Sequence, residues 1–184
     1  GQTGFVGFKY TSTSSTEALS YRLDDIQAGK GQGGGETPGE GTELLTNGGF
    51  ENWADGYPTG WKSASTASSA TLEQSTDKRS GASSVLVKGD PQSNKRLGST
   101  EMTLKAGTYT FSAYLKAATA GSTASAALGY VPIGDDGVIG GNDYKYGDYA
   151  NDLTNADWVV KSYTFTLLEQ KKICLSLIHI SEPT

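Results

Sequence analysis

The chain has 184 residues, room for one ordinary domain and part of another, because domains cluster at roughly 100–150 residues. Its formal charge is −5 and its pI about 4.9, with no block of Lys or Arg to track phosphates and no apolar run long enough to span a bilayer, so neither nucleic acid nor membrane insertion is expected. Only 35% of residues are hydrophobic and 25 are Gly, yet ten Tyr, five Phe and three Trp are present, a mix that predicts short aromatic strands between many turns, hence an all-β protein. Cys174 is the only cysteine, which excludes an internal disulfide and a cysteine zinc site and leaves the redox compartment unread. The start at Gly1, without Met or an apolar signal core, leads to the expectation that the native beginning lies upstream.

In chain order, residues 5–10 and 18–26 gather β-formers around a Ser/Thr-rich turn, a hairpin pattern. Two strands cannot form a domain, so residues 1–27 are expected to be the C-terminal remnant of an upstream one. Residues 28–42, AGKGQGGGETPGEGT, hold no aromatic and almost nothing apolar, and read as a flexible Gly-rich linker. Residues 43–174 then supply the main domain. Leu44 and Leu45 open a strand, Asn47-Gly48-Gly49 turns, and Tyr57-Pro58-Thr59-Gly60 delivers Trp61 after a tight turn. Further strands are predicted at 70–74, 83–88, 100–105, 107–117, 122–130 and 158–168. The alternation of Tyr109, Phe111, Ala113 and Leu115 with Thr110, Ser112, Tyr114 and Lys116 assigns an inward and an outward face. Short strands with turn signals between them predict an antiparallel β-sandwich of jelly-roll type.

Residues 175–184, LSLIHISEPT, back-translate without a gap to CTG TCT CTT ATA CAC ATC TCC GAG CCC ACG, the transposon-end adapter of sequencing libraries. They are therefore set aside from the native fold, which would lack its last native strand and show a docked substitute strand or a frayed tail there; the competing reading is a true apolar strand through Leu175, Leu177, Ile178 and Ile180. His179, the only histidine, falls in this tail, so histidine-based triads and metal sites are not expected. Asp135 with Asp136, or Asp143 with Asp148, are carboxylate pairs of the kind that hydrolyse glycosides, but aspartates beside Gly in a loop are more often turn or ion-binding residues, and catalysis is not expected.

The richest stretch for ligand chemistry is 129–158. Tyr130, Tyr144, Tyr146 and Tyr149 supply rings for the C–H faces of a pyranose, and Asp135, Asp136, Asn142, Asp143, Asp148, Asn151 and Asp152 supply acceptors for hydroxyls. The same tyrosines would equally serve to pin a long loop onto the sandwich. Trp53, Trp61 and Trp158 read as core rather than platform, and Lys78, Arg79, Lys95 and Arg96 as ordinary solvated charges.

Two resemblances add to this. "GFKYTSTSSTEALSYRLDDIQ" resembles the closing strands of jelly-roll modules on bacterial surface proteins, of the cleaved-adhesin and anchor-associated kind. "NGGFENW…YPTGW", "RSGASSVLVKG", "LKAGTYTFSAYLKA" and "DWVVKSYTFTL" resemble, in that order, carbohydrate-binding modules of the family 4, 9 and 22 type, with a galactose-binding-like jelly roll. The resemblance implies a non-catalytic, extracellular or cell-surface glycan binder carried on a larger bacterial protein, with other domains of the same parent chain as neighbours; the alternative is a structural or adhesive spacer without a sugar site. It also implies a structural calcium, held by Glu51 in this module and by Asp24 or Asp25 in the upstream remnant, so that each piece retains half a site.

Overall fold

The computed structural model describes residues 20–30, 43–61, 72–89, 95–122, 124–140 and 143–179. Among these the regular structure is all strand: β1 (Tyr21–Lys30), β2 (Trp53–Ala54), β3 (Tyr57–Pro58), β4 (Leu72–Ser75), β5 (Ser84–Val87), β6 (Lys95–Gly98), β7 (Met102–Leu104), β8 (Gly107–Ala117), β9 (Ala126–Pro132), β10 (Lys145–Tyr146), β11 (Val159–Leu167) and β12 (Lys171–His179). Two antiparallel sheets, β11-β8-β1-β5-β4 and β10-β9-β12-β6 with β7 against β12, form the sandwich that composition and turn spacing predict.

The period-2 pattern of β8 works as read. Tyr109, Phe111, Ala113 and Leu115 are buried, and on β11, paired along its own length with Gly107 to Leu115 of β8, Phe165 and Leu167 face inward with them. From the second sheet Leu97, Leu128, Ile173, Leu175 and Leu177 close the same core. The outward threonines pair across the strands, Thr108 with Thr166 and Thr110 with Thr164, at 3.0 and 3.1 Å between hydroxyls. Predicted strands at 70–74, 83–88 and 100–105 appear as β4, β5 and β7, while the one expected at 122–130 begins only at Ala126 and runs to Pro132. The strand expected at residues 5–10 lies outside the described residues.

Residues 21–27, assigned by sequence to an upstream remnant, and 28–30, assigned to the linker, form one strand in the middle of the first sheet, bonded to β5 on one side and β8 on the other. Tyr21, Leu23, Ile26 and Ala28 enter the common core, so apolar burial overrides the composition break after Gln27. A bulge at Asp24–Gln27 with Asp25 at φ 46° interrupts the β1–β8 ladder.

The tail docks as a strand. Residues 175–179, set aside as adapter-coded, continue β12 in the middle of the second sheet, between β9 and β6. Leu175 and Leu177 join the core and Ser176 and Ile178 are buried on the other face; whatever the origin of its codons, this apolar alternation suffices to hold a strand.

Candidate functional site

On the second sheet, residues alternate between the main core and the outer face. Ile173, Leu175 and Leu177 point in, and Cys174 points out to a small apolar cluster with Val131, Ile133, Ile139 and Tyr144. Tyr146 of β10 sits beside Gly129 of β9 in register, where any Cβ would overlap both its ring and the Lys145 carbonyl. Its hydroxyl shares a 2.9 Å hydrogen bond with Ser176 of β12, and burial pushes that hydroxyl up to about 12, against a lowering by the Ser176 bond. Tyr144 and Tyr146 lie parallel, 7° between planes and 5.9 Å between centroids. The Arg96 guanidinium of β6 stands 4.5 Å from the Tyr144 centroid. Both phenols remain neutral donors at physiological pH, because burial raises Tyr144 too. The result is a half-buried aromatic pair with an arginine beside it, the apolar-plus-polar mixture that pyranose recognition uses.

The other predicted site residues go elsewhere. Tyr130 packs between the sheets, 4.2 Å from Phe165 and 6.4 Å from Tyr163, which is a core stack rather than a ligand platform. Asp148 and Tyr149 line a cleft with Lys161, Ser162, Tyr163 and Thr164 against β11. Asn151 accepts a hydrogen bond from Ser125, and the Asp143 backbone N–H donates to the Gly140 carbonyl at 3.0 Å. Asn142 lies outside the described residues. Arg96 is the residue that sequence reasoning missed. Its position depends on β6 pairing with β12, and Lys-Arg-Leu-Gly carries too little apolar pattern to announce a strand. Arg79 also departs from the expected solvated charge: it pairs with Asp25 and lies 3.7 Å from the Tyr114 centroid.

The two expected half-sites meet at one turn, residues 79–83. Asp24, fully buried, accepts from the backbone N–H of Arg79 at 2.7 Å, of Ser80 at 3.2 Å and of Asp25 at 2.8 Å. Asp25 accepts from the Arg79 guanidinium at 2.5 Å and the Ser80 hydroxyl at 2.7 Å. Glu51 accepts twice from the Ala82 N–H, at 3.0 and 2.9 Å. Three carboxylates against one guanidinium are of the hard-oxygen type that calcium takes. No group of three acidic, His or Cys side chains is close enough to hold an ion unaided among the described residues, so backbone carbonyls or water would have to complete the six to eight ligands.

Burial raises the Asp24 carboxyl above its ordinary value, outweighing the three N–H bonds that lower it. A raised folded-state value means a contribution fully present below the ordinary carboxylate pKa and lost as pH climbs through the raised one. The stability of the native chain minus that of Asp24→Asn should therefore fall from acid pH toward neutrality in urea unfolding; a difference that stays flat or grows would refute the assignment.

The family model described as carbohydrate binding domain, of the type 4 and 9 modules, matches residues 42–183. The chain belongs to this carbohydrate-binding family. No curated protein and no solved structure gives a match. The carbohydrate-binding domain so defined contains the Tyr144–Tyr146–Arg96 cluster and Glu51, but not β1, whose Asp24 and Asp25 grip its turn from outside the matched segment.

Proposed function

We propose that this chain is a non-catalytic module that binds a polysaccharide on the outer face of the β10-β9-β12-β6 sheet, in a secreted or cell-surface multidomain bacterial protein. The observation that carries the reading is the parallel Tyr144–Tyr146 pair beside Arg96, offering flat apolar faces next to a fixed donor. Family membership supports the ligand class. The competing reading, a spacer with no sugar site, is favoured by Tyr130, whose ring is spent on the core.

Affinity electrophoresis against a panel of plant and microbial polysaccharides separates the two. At least one polysaccharide should retard the protein, and Tyr144→Ala should weaken that retention about tenfold or more, the loss of one anchoring contact of roughly 1.4 kcal/mol. A folded Tyr144→Ala protein with undiminished retention sinks the site; no retention by any glycan leaves the spacer.

A calcium ion at the 79–83 turn is the second element of the proposal, with Asp25 and Glu51 as ligands and Asp24 holding the turn; the ion would cross-link strands distant in sequence. Calcium in about hundredfold excess over its Kd should raise stability by about 2.7 kcal/mol over the chelated protein. Glu51→Gln should remove most of the gain. Identical melting in calcium and in chelator refutes it.

A further inference from the structure

The strand at the centre of the first sheet comes from outside the segment that carries the family pattern. β1 ends at Lys30, the match begins at residue 42, and among the described residues every other strand of the two sheets lies between Leu72 and His179. β5 and β8 each pair with β1 and not with one another, so they flank a slot one strand wide.

The slot reads its occupant closely. Tyr21, Leu23, Ile26 and Ala28 fill the core, Asp24 takes the N–H groups of Arg79 and Ser80, and the Ile26 N–H donates to the Gly48 carbonyl at 2.8 Å. A side chain at residue 48 would collide with the Ile26 carbonyl, so Gly48 is fitted to the strand as well. Beyond Lys30, the Leu44 N–H donates to the Ala28 carbonyl at 2.9 Å and Gly29 bridges to Glu43. All of these contacts are between β1 and residues from Glu43 onward. None requires strand and slot to share one polypeptide, and the twelve residues that connect them, 31–42, are Gly-rich.

We propose that β1 is an exchangeable closing strand: the β5–β8 slot of one copy accepts the β1 of a second copy, in the same antiparallel register, to give a strand-swapped assembly. Recognition is by main-chain pairing on both edges, with specificity from the Tyr-x-Leu-Asp-Asp-Ile side chains. The proposal does not depend on what the outer face of the other sheet binds.

Two full-chain variants test it. Leu23→Asp places a carboxylate where Leu23 is fully buried, and should expel the strand and lose the near-ultraviolet circular dichroism of the core tryptophan. Adding a peptide of residues 20–30 should restore that signal saturably, and the same peptide bearing Leu23→Asp should not. No restoration at any peptide concentration overturns the proposal. In the second variant residues 31–42 are deleted, leaving Lys30 alone between the paired Gly29 and Glu43, shorter than the two-residue minimum of a tight hairpin. Light scattering should then give twice the monomer mass with the β-sheet spectrum retained. A folded monomer, or loss of the fold without dimers, overturns it equally.

Discussion

Trp61→Ala is expected to destabilise the fold by about 3–5 kcal/mol, the usual range for truncating a fully buried large aromatic. The ring is completely inaccessible, tilted 54° against Phe50 at 5.2 Å, and its Nε1 donates to the Asn47 carbonyl at 3.1 Å. Asn47 is the hub of the opening motif: its side-chain amide bonds the carbonyls of Asn52 and Thr59, and its Oδ1 takes the Asn52 N–H. Removing the indole thus opens a cavity and takes one of two donors from the Asn47 carbonyl, which keeps only the Phe50 N–H, at the point where the first loop is folded back on itself. Urea denaturation with an unchanged m-value is the measurement; a loss under about 1 kcal/mol would show that the opening motif is peripheral.

Gly81→Ala should cost about 2–4 kcal/mol by a different route. Gly81 has φ +61°, which a side chain adopts at a cost of roughly 1 kcal/mol, and a Cβ there would overlap the Glu51 carboxylate. The carboxylate must swing away, losing charge-assisted bonds to Ala82 worth about 1.5–3 kcal/mol. A double-mutant cycle isolates this cause: in a Glu51→Ala background the same glycine substitution should cost only the backbone share. Additive penalties would mean the turn is not held by Glu51.

The sandwich itself was legible because β8 and β11 carry undiluted period-2 alternation, with Tyr109, Phe111, Phe165 and Leu167 all where that alternation puts them. Non-local pairing was not legible. Nothing local tells that Leu23 will meet Leu115 on one side and Val85 on the other. β12 was legible as a strand from the apolar alternation of Leu175, Leu177 and Ile178, whatever its codons say of its origin. The candidate site divides along the same line. Tyr144 and Tyr146 announce themselves by composition, whereas Arg96 joins them only through the β6-β12-β9-β10 order. The separation of Tyr130 from its neighbours follows from face alternation on β9, which places it with Leu128 in the main cluster and Val131 in the other.

The place of β1 also bears on how the intact molecule would register damage. A single backbone cut between Lys30 and Glu43 would sever the chain without severing the sheet, since Leu23, Asp24 and Ile26 stay anchored by pairing and burial. Such nicked material would migrate as two pieces under denaturing conditions and as one body under native ones. The same cut made in the gene, where the composition change invites it, would produce a protein with its middle strand missing and two apolar strand edges open to whatever extended segment comes near.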